Sequence, residues 1–412
     1  MGLKPRYIRM EKDDLAWENS DRDVESWERE VSTQLGYLSW YRQPYFKFPE
    51  EKVRYEVAVM RYVAANTTIP VPKIYHYGTK AENPTGLGPF IIIETLSLDQ
   101  TSHHVLDANI SEQKLELLYR QMANIILQLS TLSFPRIGSL VQDEDGTFSI
   151  SGRPLIQNMN SLVEFAGVIP SLLPSQQYCI STEWYAAMAD MHLAQIMFQH
   201  NDAVLDEDDV RDKYVARQLF RRLASSGQLA LGLDPEQQFH PEATFRLYSE
   251  DLRPSNVSID QHLRVVGVID WEFAYAAPAQ FFIDPPWWLL LKSPEYWPGG
   301  YSSWMEAYEP RLNTFLRVLE EEEEKGKRPD SSSRPGDAAM PLSQLMRKSW
   351  GSKTWMINYA ARDSWAFDFI FWRYLDCAYF GPNEGGDYQR RLGLLAKGEV
   401  EAMEALMAKV MV

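Results

Sequence analysis

Cysteine is nearly absent: Cys179 and Cys377 are the only two in 412 residues. Two isolated thiols build neither a disulfide framework nor a CxxC metal knuckle, so a reducing intracellular compartment is the expected home. Long apolar runs are missing too. The richest stretches, around Phe90–Ile93 and Trp287–Leu291, fall far short of the about 20 residues that span a bilayer. Met1 to Arg22 alternates charges without an apolar signal segment, and a soluble, cytoplasmic protein is the expectation. Basic charge is in deficit, since 41 Lys and Arg stand against 57 Asp and Glu, a formal charge of −16. That balance argues against a nucleic-acid partner or an anionic membrane and leans toward a neutral or cationic small molecule. Glycine is scarce early, with only Gly2 and Gly36 before Gly78. There is no Gly-x-x-x-x-Gly-Lys P-loop, Gly-x-Gly-x-x-Gly, Gly-x-Ser-x-Gly or His-Glu-x-x-His. P-loop nucleotide binding, dinucleotide binding, elbow-serine hydrolysis and zinc-protease chemistry lose their usual signatures.

What remains is ordinary globular material, 45% apolar and 24% charged. At roughly 150 residues per domain this length holds two to three units or two lobes of one enzyme. Residues 1–36 read as a solvated lead-in. Residues 37–96 read as a small mixed lobe: a short strand at Tyr45–Phe48, a helix over Glu50–Ala65, and a buried strand at Phe90–Glu94. In that helix Val53, Val57, Met60 and Ala64 share one face, and Ile69-Pro70-Val71-Pro72 follows as a stop. Residues 97–412 read as a larger, mainly helical lobe. Leu115, Leu118, Met122, Ile125, Ile126, Leu129 and Leu132 form a continuous stripe, and further helices are expected at Trp184–Phe198 and Val210–Leu223. Three β-type runs interrupt them at Phe245–Tyr248, Val257–Ile259 and Val265–Ile269. The acidic run at Glu320–Glu324, followed by Lys, Pro and Ser, reads as part of a disordered insertion over 320–340. The fold class is α+β, with a β-hairpin inside the larger, mainly helical lobe.

The chemistry concentrates at Asp251-Leu252-Arg253-Pro254-Ser255-Asn256 and Asp270. If the second and third β-runs pair through the turn Asp260-Gln261-His262-Leu263, Asn256 at the hairpin's mouth and Asp270 at its exit meet at one end. Asp251 lies on the loop that feeds that end. Oxygen-bearing side chains gathered this way suit Mg²⁺, and a further carboxylate there can orient or deprotonate a hydroxyl attacking a γ-phosphate. Taken singly, Asp270 reads equally as a strand-end turn residue and Asn256 as an Asx-turn. Their order along the chain favours the site.

The pair Asp251–Asn256 and Val268-Ile269-Asp270-Trp271-Glu272-Phe273 resembles the catalytic and metal loops of the aminoglycoside phosphotransferase family, which shares the protein-kinase-like fold. Ala276–Phe281 and Pro285–Leu291 resemble a branch common in filamentous fungi, and the likeness runs roughly from Pro44 to Leu291. The resemblance implies a bilobal fold and an ATP- and Mg²⁺-dependent transfer to the hydroxyl of a small acceptor. By position it implies Asp251 as catalytic base, Asn256 and Asp270 as metal ligands, and Asp284 as a brace of the catalytic loop. Arg253 is expected beside that loop. Glu56 matches the glutamate that holds the nucleotide lysine, Lys47 is the candidate for that lysine, and Glu94 to Leu96 match the hinge that receives adenine. The chain departs from the pattern at Ser249, where the family carries histidine, and in lacking a glycine-rich loop before Lys47. A pseudokinase-like binding module is therefore the alternative to an active kinase.

Other signals have plain readings. His103-His104 and His192/His200 lack carboxylate or thiol partners at ligand spacing and read as surface or core histidines. Trp271, Trp287, Trp288, Trp297 and Trp304 read as core, with an acceptor pocket as the alternative. Asp206–Asp209 reads as a solvated loop rather than a site for a cationic guest. Oligomeric state leaves no trace in the sequence.

Overall fold

The computed structural model describes residues 47–83, 88–94, 110–199, 204–233, 245–326 and 340–410, and the backbone of short strands at Ser39–Trp40 and Gln100–Thr101. The smaller part consists of β1 (Ser39–Trp40), α1 (Pro49–Asn66), β2 (Ile74–Gly78) and β3 (Phe90–Ile93), with an antiparallel sheet of order β1-β3-β2. Pro49 at the first helical position and Glu50 and Glu51 in the first turn suit the start of α1. Thr67 ends it by donating its hydroxyl back to the Val63 carbonyl (2.7 Å). The strand expected at Tyr45–Phe48 is not formed by its described residues. Phe48 is the left-handed N-cap of α1 (φ 60°, ψ 41°), and four alternating side chains are too short a pattern to outweigh a helix start. Tyr45 and Phe46 lie outside the described residues.

The strand β4 (Gln100–Thr101) precedes α2 (Glu112–Thr131), whose expected stripe is buried. Strands β5 (Ser133–Phe134), β6 (Ser139–Gln142) and β7 (Phe148–Gly152) come next. The hairpin β6–β7 backs α1: a Cβ added at Gly152 would lie 2.6 Å from the Tyr55 ring, and Arg153 pairs with Glu51 at 2.7 Å. Only glycine lets that ring settle so close. Helices α3 (Gln157–Glu164), α4 (Ser181–Phe198) and α5 (Glu207–Ser225) follow.

Strands β8 (Phe245–Ser249), β9 (Val257–Ile259), β10 (Val265–Val268) and β11 (Ala274–Pro278) frame the loops of interest. β8 lies between β11 and β5, and the hairpin β9–β10 pairs Val257 with Val268. The Ile269 amide donates to the Asn256 carbonyl (2.9 Å), closing the mouth of that hairpin as the sequence predicts. The Val268 amide donates to Pro70 O (2.8 Å), tying the hairpin to the segment after α1.

Beyond these lie α6 (Gly300–Gly326), α7 (Leu342–Ser352), α8 (Thr354–Arg362) and the terminal α9 (Lys397–Val410). The acidic run Glu320–Glu324, expected as disordered, forms the last turns of α6 instead. Glutamate and lysine are good helix formers, and the run is anchored: Arg120 pairs with Glu321 (2.7 Å) and Glu322 (2.8 Å), while Glu323 accepts from Ser343 N (3.1 Å). Residues 327–339 of the expected insertion lie outside the described residues. The acidic cluster at Asp206–Asp209 is a helix start rather than a loop, with Asp206 capping α5 by accepting from Asp209 N. Among the described residues no helix is long and apolar enough to cross a membrane.

Candidate active site

Three segments converge: the loop after β8, the mouth of the β9–β10 hairpin, and the inner face of α1. The first is held by Asn256, whose amide nitrogen donates to Asp251 O (2.8 Å) and Asp251 Oδ2 (3.0 Å). Asn256 and Asp251 are both buried. With its nitrogen committed, Asn256 has its carbonyl oxygen left for another partner. Arg253 Nε stands 2.8 Å from Asp251 Oδ1 in an ion pair rather than an aligned hydrogen bond.

Asp270 leaves β10 in the left-handed region (φ 63°), a conformation aspartate tolerates better than most side chains and one found where a site imposes it. Its Oδ1 is buried and has no hydrogen-bond partner among the described residues. Burial first, then the charges of Glu272 and Asp251, push its carboxyl well above the ordinary range, with Arg253 and Lys52 opposing. Glu272 is pushed up to about 7, by burial first and then by Glu56 and Asp251, although Lys52 counteracts. Glu56 is pushed up to about 8 by burial and by Asp270, and it accepts from Trp271 N (3.2 Å). Amid these acids stands Lys52: its Nζ is 3.3 Å from Glu272 Oε1 and 4.3 Å from the Phe273 ring centroid. Burial lowers Lys52 to about 8 despite Glu272, Asp270 and Glu56 around it. Four carboxyl groups, Glu56, Asp251, Asp270 and Glu272, thus gather around Lys52 and Arg253, and burial favours the neutral form of three of them.

The expected pair of Lys47 with Glu56 is not formed. Lys47 Nζ meets Glu164 at 2.6 Å, and its backbone amide donates to Asn160 Oδ1 (2.9 Å). Pro49 starts the helix two residues later, so Lys47 sits at its entrance, while Lys52, one turn before Glu56, shares the inner side with it. Of two further residues at this site, Lys52 escapes a motif search, and Glu272 stands inside the Val268–Phe273 motif with no role read from it. Their signals were a lysine four residues before Glu56 beside an apolar stripe, and a second acid two residues after Asp270.

Asp284 accepts from Asn358 Nδ2 (2.7 Å) and from Arg362 Nη2 (2.7 Å), and Arg362 also reaches the Tyr248 hydroxyl at the end of β8. Its link to the strand that leads into the Asp251 loop therefore runs through Arg362. Glu94 follows β3 and is exposed, its amide donating to Lys73 O (2.8 Å), and Leu96 lies outside the described residues. His192 is fully buried, with Nδ1 2.8 Å from Ser364 Oγ, whereas His103, His104 and His200 lie outside the described residues. Trp271 is core, its indole donating to Val268 O (3.0 Å), while Trp287, Trp288 and Trp304 line a cavity beside the catalytic loop.

Among the described residues no three His, Cys, Asp or Glu side chains gather closely enough to hold a metal by themselves. The orphaned Asp270 oxygen and the Asn256 side-chain oxygen Oδ1 suit a hard cation that completes its shell with water and phosphate oxygens, as Mg²⁺ does.

A protein described as "Clavilactone A biosynthesis cluster protein Y" from Ampulloclitocybe clavipes is 23% identical over 241 residues, covering 58% of this chain and 53% of its own length. The chain thus spans about half the length of that curated relative. Among solved structures, the complex of aminoglycoside phosphotransferase APH(2″)-IIIa with GDP and kanamycin aligns over 93% of this chain and 99% of its own, at 12% identity and TM-score 0.38. A thermostable mutant of APH(4)-Ia with AMP-PNP and hygromycin B aligns over 84% and 97%, at 14% identity and TM-score 0.38. The profile of the phosphotransferase enzyme family matches residues 42–281, from ahead of Lys47 through both loops that carry Asp251 and Asp270. Since that match takes in more than half of the chain, the protein belongs to the phosphotransferase enzyme family.

Proposed function

We propose that this chain transfers the γ-phosphoryl group of Mg-ATP to a hydroxyl of a small molecule. The observation that carries the reading is the buried, partnerless oxygen of Asp270 at the exit of the hairpin whose mouth holds Asn256, with Asp251 on the adjoining loop. In the reaction an acceptor oxygen forms a new bond to the γ-phosphorus, the bond to the β–γ bridging oxygen breaks, and ADP leaves. Asp251 orients the acceptor hydroxyl and takes its proton. Asn256 and Asp270 would hold Mg²⁺, which when bound supplies positive charge to the phosphate oxygens. Lys52, rather than Lys47, neutralises charge on the nucleotide phosphates, and Glu56 keeps its acid beside it on the same helix. Arg253 holds the Asp251 carboxylate in place, and Asp284 fixes the end of β8 through Arg362. Adenine is received beside Glu94 and Leu96 through backbone groups, as the family resemblance implies.

A second reading has its own support. Ser249 in place of histidine, and a lysine already engaged by Glu272, suit a pseudokinase-like module that binds nucleotide without turning it over. ADP release measured over a panel of hydroxylated small molecules separates the two. Under the enzyme reading Asp251→Asn keeps the shape but removes the base, so turnover falls by about 10²–10⁴ while Mg-ATP binding stays nearly intact. Asp270→Ala weakens Mg-dependent nucleotide binding itself. Equal loss of binding in both variants, or no turnover in the unaltered chain with any acceptor, overturns the assignment.

A further inference from the structure

Helix α1, which carries Lys52 and Glu56, has no cap of its own. Its N-cap residue, Phe48, is left-handed (φ 60°) and has no side-chain oxygen to offer the first amides. A bulky residue keeps that conformation only where its surroundings impose it. Here the surroundings come from residues 153–164. The Arg153 guanidinium lies 4.6 Å from the Phe48 ring centroid and pairs with Glu51 in the first turn of α1 (2.7 Å). Asn160, on α3, is buried and accepts from the Lys47 backbone amide through Oδ1 (2.9 Å). Glu164, at the end of the same helix, takes the Lys47 ammonium (2.6 Å), but near the surface, where such a pair contributes little. The amide held by Asn160 is the firmer tie.

The start of α3 is tied to the catalytic side. Its first residue, Gln157, donates its amide to Glu250 Oε2 (2.8 Å), and Glu250 immediately precedes Asp251. The N-cap of α3, Ile156, has no polar side chain, so Glu250 serves as the cap from a distance in sequence. Glu250 N in turn donates to Phe273 O (3.3 Å), just beyond Asp270. Asn158 fixes the helix from a third side, donating to Ser364 Oγ (3.0 Å) and accepting from Ser364 N (3.2 Å). One short helix therefore stands between the loop of Asp251 and the entrance of the helix that carries Lys52.

We infer that α3 is the spacer of the site, and that Asn160 is a positioning residue that sets Lys52, through the entrance of α1, against the loop that carries Asp251. That Lys52 meets phosphate rests on the phosphotransferase reading; the anchoring of α1 does not. Mg-ATP is titrated calorimetrically into the full chain, with circular dichroism to confirm folding, for Asn160→Ala, Asn160→Asp, Lys52→Met, and Asn160→Ala combined with Lys52→Met. Asn160→Ala should bind about two- to ten-fold more weakly, the span of one neutral hydrogen bond. Asn160→Asp keeps the accepting oxygen and should bind as the unaltered chain does. In the Lys52→Met background Asn160→Ala should cost no further affinity, because Asn160 acts through that lysine. A general loosening of the fold weakens both backgrounds alike. That result, or equal affinity in Asn160→Ala and the unaltered chain, overturns the inference. Should Asn160→Ala fail to fold, Asn160→Ser takes its place in the same cycle. An unaltered chain that binds no Mg-ATP sinks the phosphotransferase reading, and hydrogen–deuterium exchange over residues 47–56 then decides the anchoring. Faster exchange in Asn160→Ala than in Asn160→Asp keeps it, and equal exchange overturns it.

Discussion

Replacing Lys52 by methionine should cost the fold modestly and nucleotide affinity heavily, while Lys47→Met should cost neither much. Lys52 Nζ is 3.3 Å from Glu272 Oε1 in a pair whose side chains are 4% and 6% exposed. Without the lysine, Glu272 takes up a proton rather than stay charged. Holding a proton at pH 7 on a carboxyl whose ordinary value is 4.5 costs about 3 kcal/mol, and about 2 at pH 6. Those figures are ceilings on the damage, because burial already pushes Glu272 to about 7 in the intact protein. The sign follows: the folded state holds the proton and the unfolded state releases it, so the penalty shrinks toward acid. Lys47 pairs with Glu164 near the surface, at side-chain exposures of 40% and 25%. Such a pair is worth about 0–1 kcal/mol. A charge-assisted hydrogen bond to phosphate is worth about 1.5–3 kcal/mol, so Lys52→Met should bind Mg-ATP about 10- to 150-fold more weakly. Calorimetric titration at pH 6.5, with circular dichroism to confirm folding, gives both quantities. Equal affinity in folded Lys52→Met and the unaltered chain, or a loss in Lys47→Met as large, refutes the reassignment of the lysine.

Glu295 is pushed up to about 7 by burial and by Asp363, and it accepts from the Tyr359 hydroxyl (2.7 Å). Its neutral form is favoured by the fold, so the stability it contributes below pH 4.5 is lost as pH rises through about 7. Glu295→Gln keeps the acceptor without the charge, and should leave the melting temperature unchanged at pH 5 and raise it at pH 8, by at most about 3 kcal/mol of stability; equal effects at both pH values would contradict the cause. Gly152→Ala sets a methyl against the Tyr55 ring and should destabilise by about 1–3 kcal/mol in chemical denaturation, with Tyr55→Leu in the same chain relieving the clash. Arg362→Met strips the buried partner from Asp284 and should cost about 3–5 kcal/mol, much of it recovered when Asp284→Asn is added.

The helices with sustained apolar stripes were legible because burial of one face imposes a period that a window of residues records. The convergence of the Asp251 loop and the hairpin was legible because their order along the chain forces proximity: once Val257 faces Val268, Asn256 and Asp270 must share an end. Lys47 was misplaced because a strand and a helix entrance differ at this point only in the backbone of Phe48, and no alternation over four residues reports a φ of 60°. The acidic run of α6 was misread because its partners, Arg120 and Ser343, are remote in sequence. Composition alone makes such a run look unsupported. The link from Asp284 to Tyr248 through Arg362 was equally out of reach, since it joins three segments that only the fold brings together.

Lys52 and Glu56 stand one turn apart on a single rigid helix, and this fixes what can vary at the site. Where a cation and its acid come from separate elements, a shift of either one breaks the pair. Here a displacement of α1 carries both together, so their mutual spacing is invariant. What changes is the reach from that helix to Asp270 and Glu272 on the hairpin side. A change in that reach moves Lys52 and Glu56 together relative to those acids. The placement of that one helix thus sets how far the acids of the hairpin mouth are neutralised by a lysine and how far by protons.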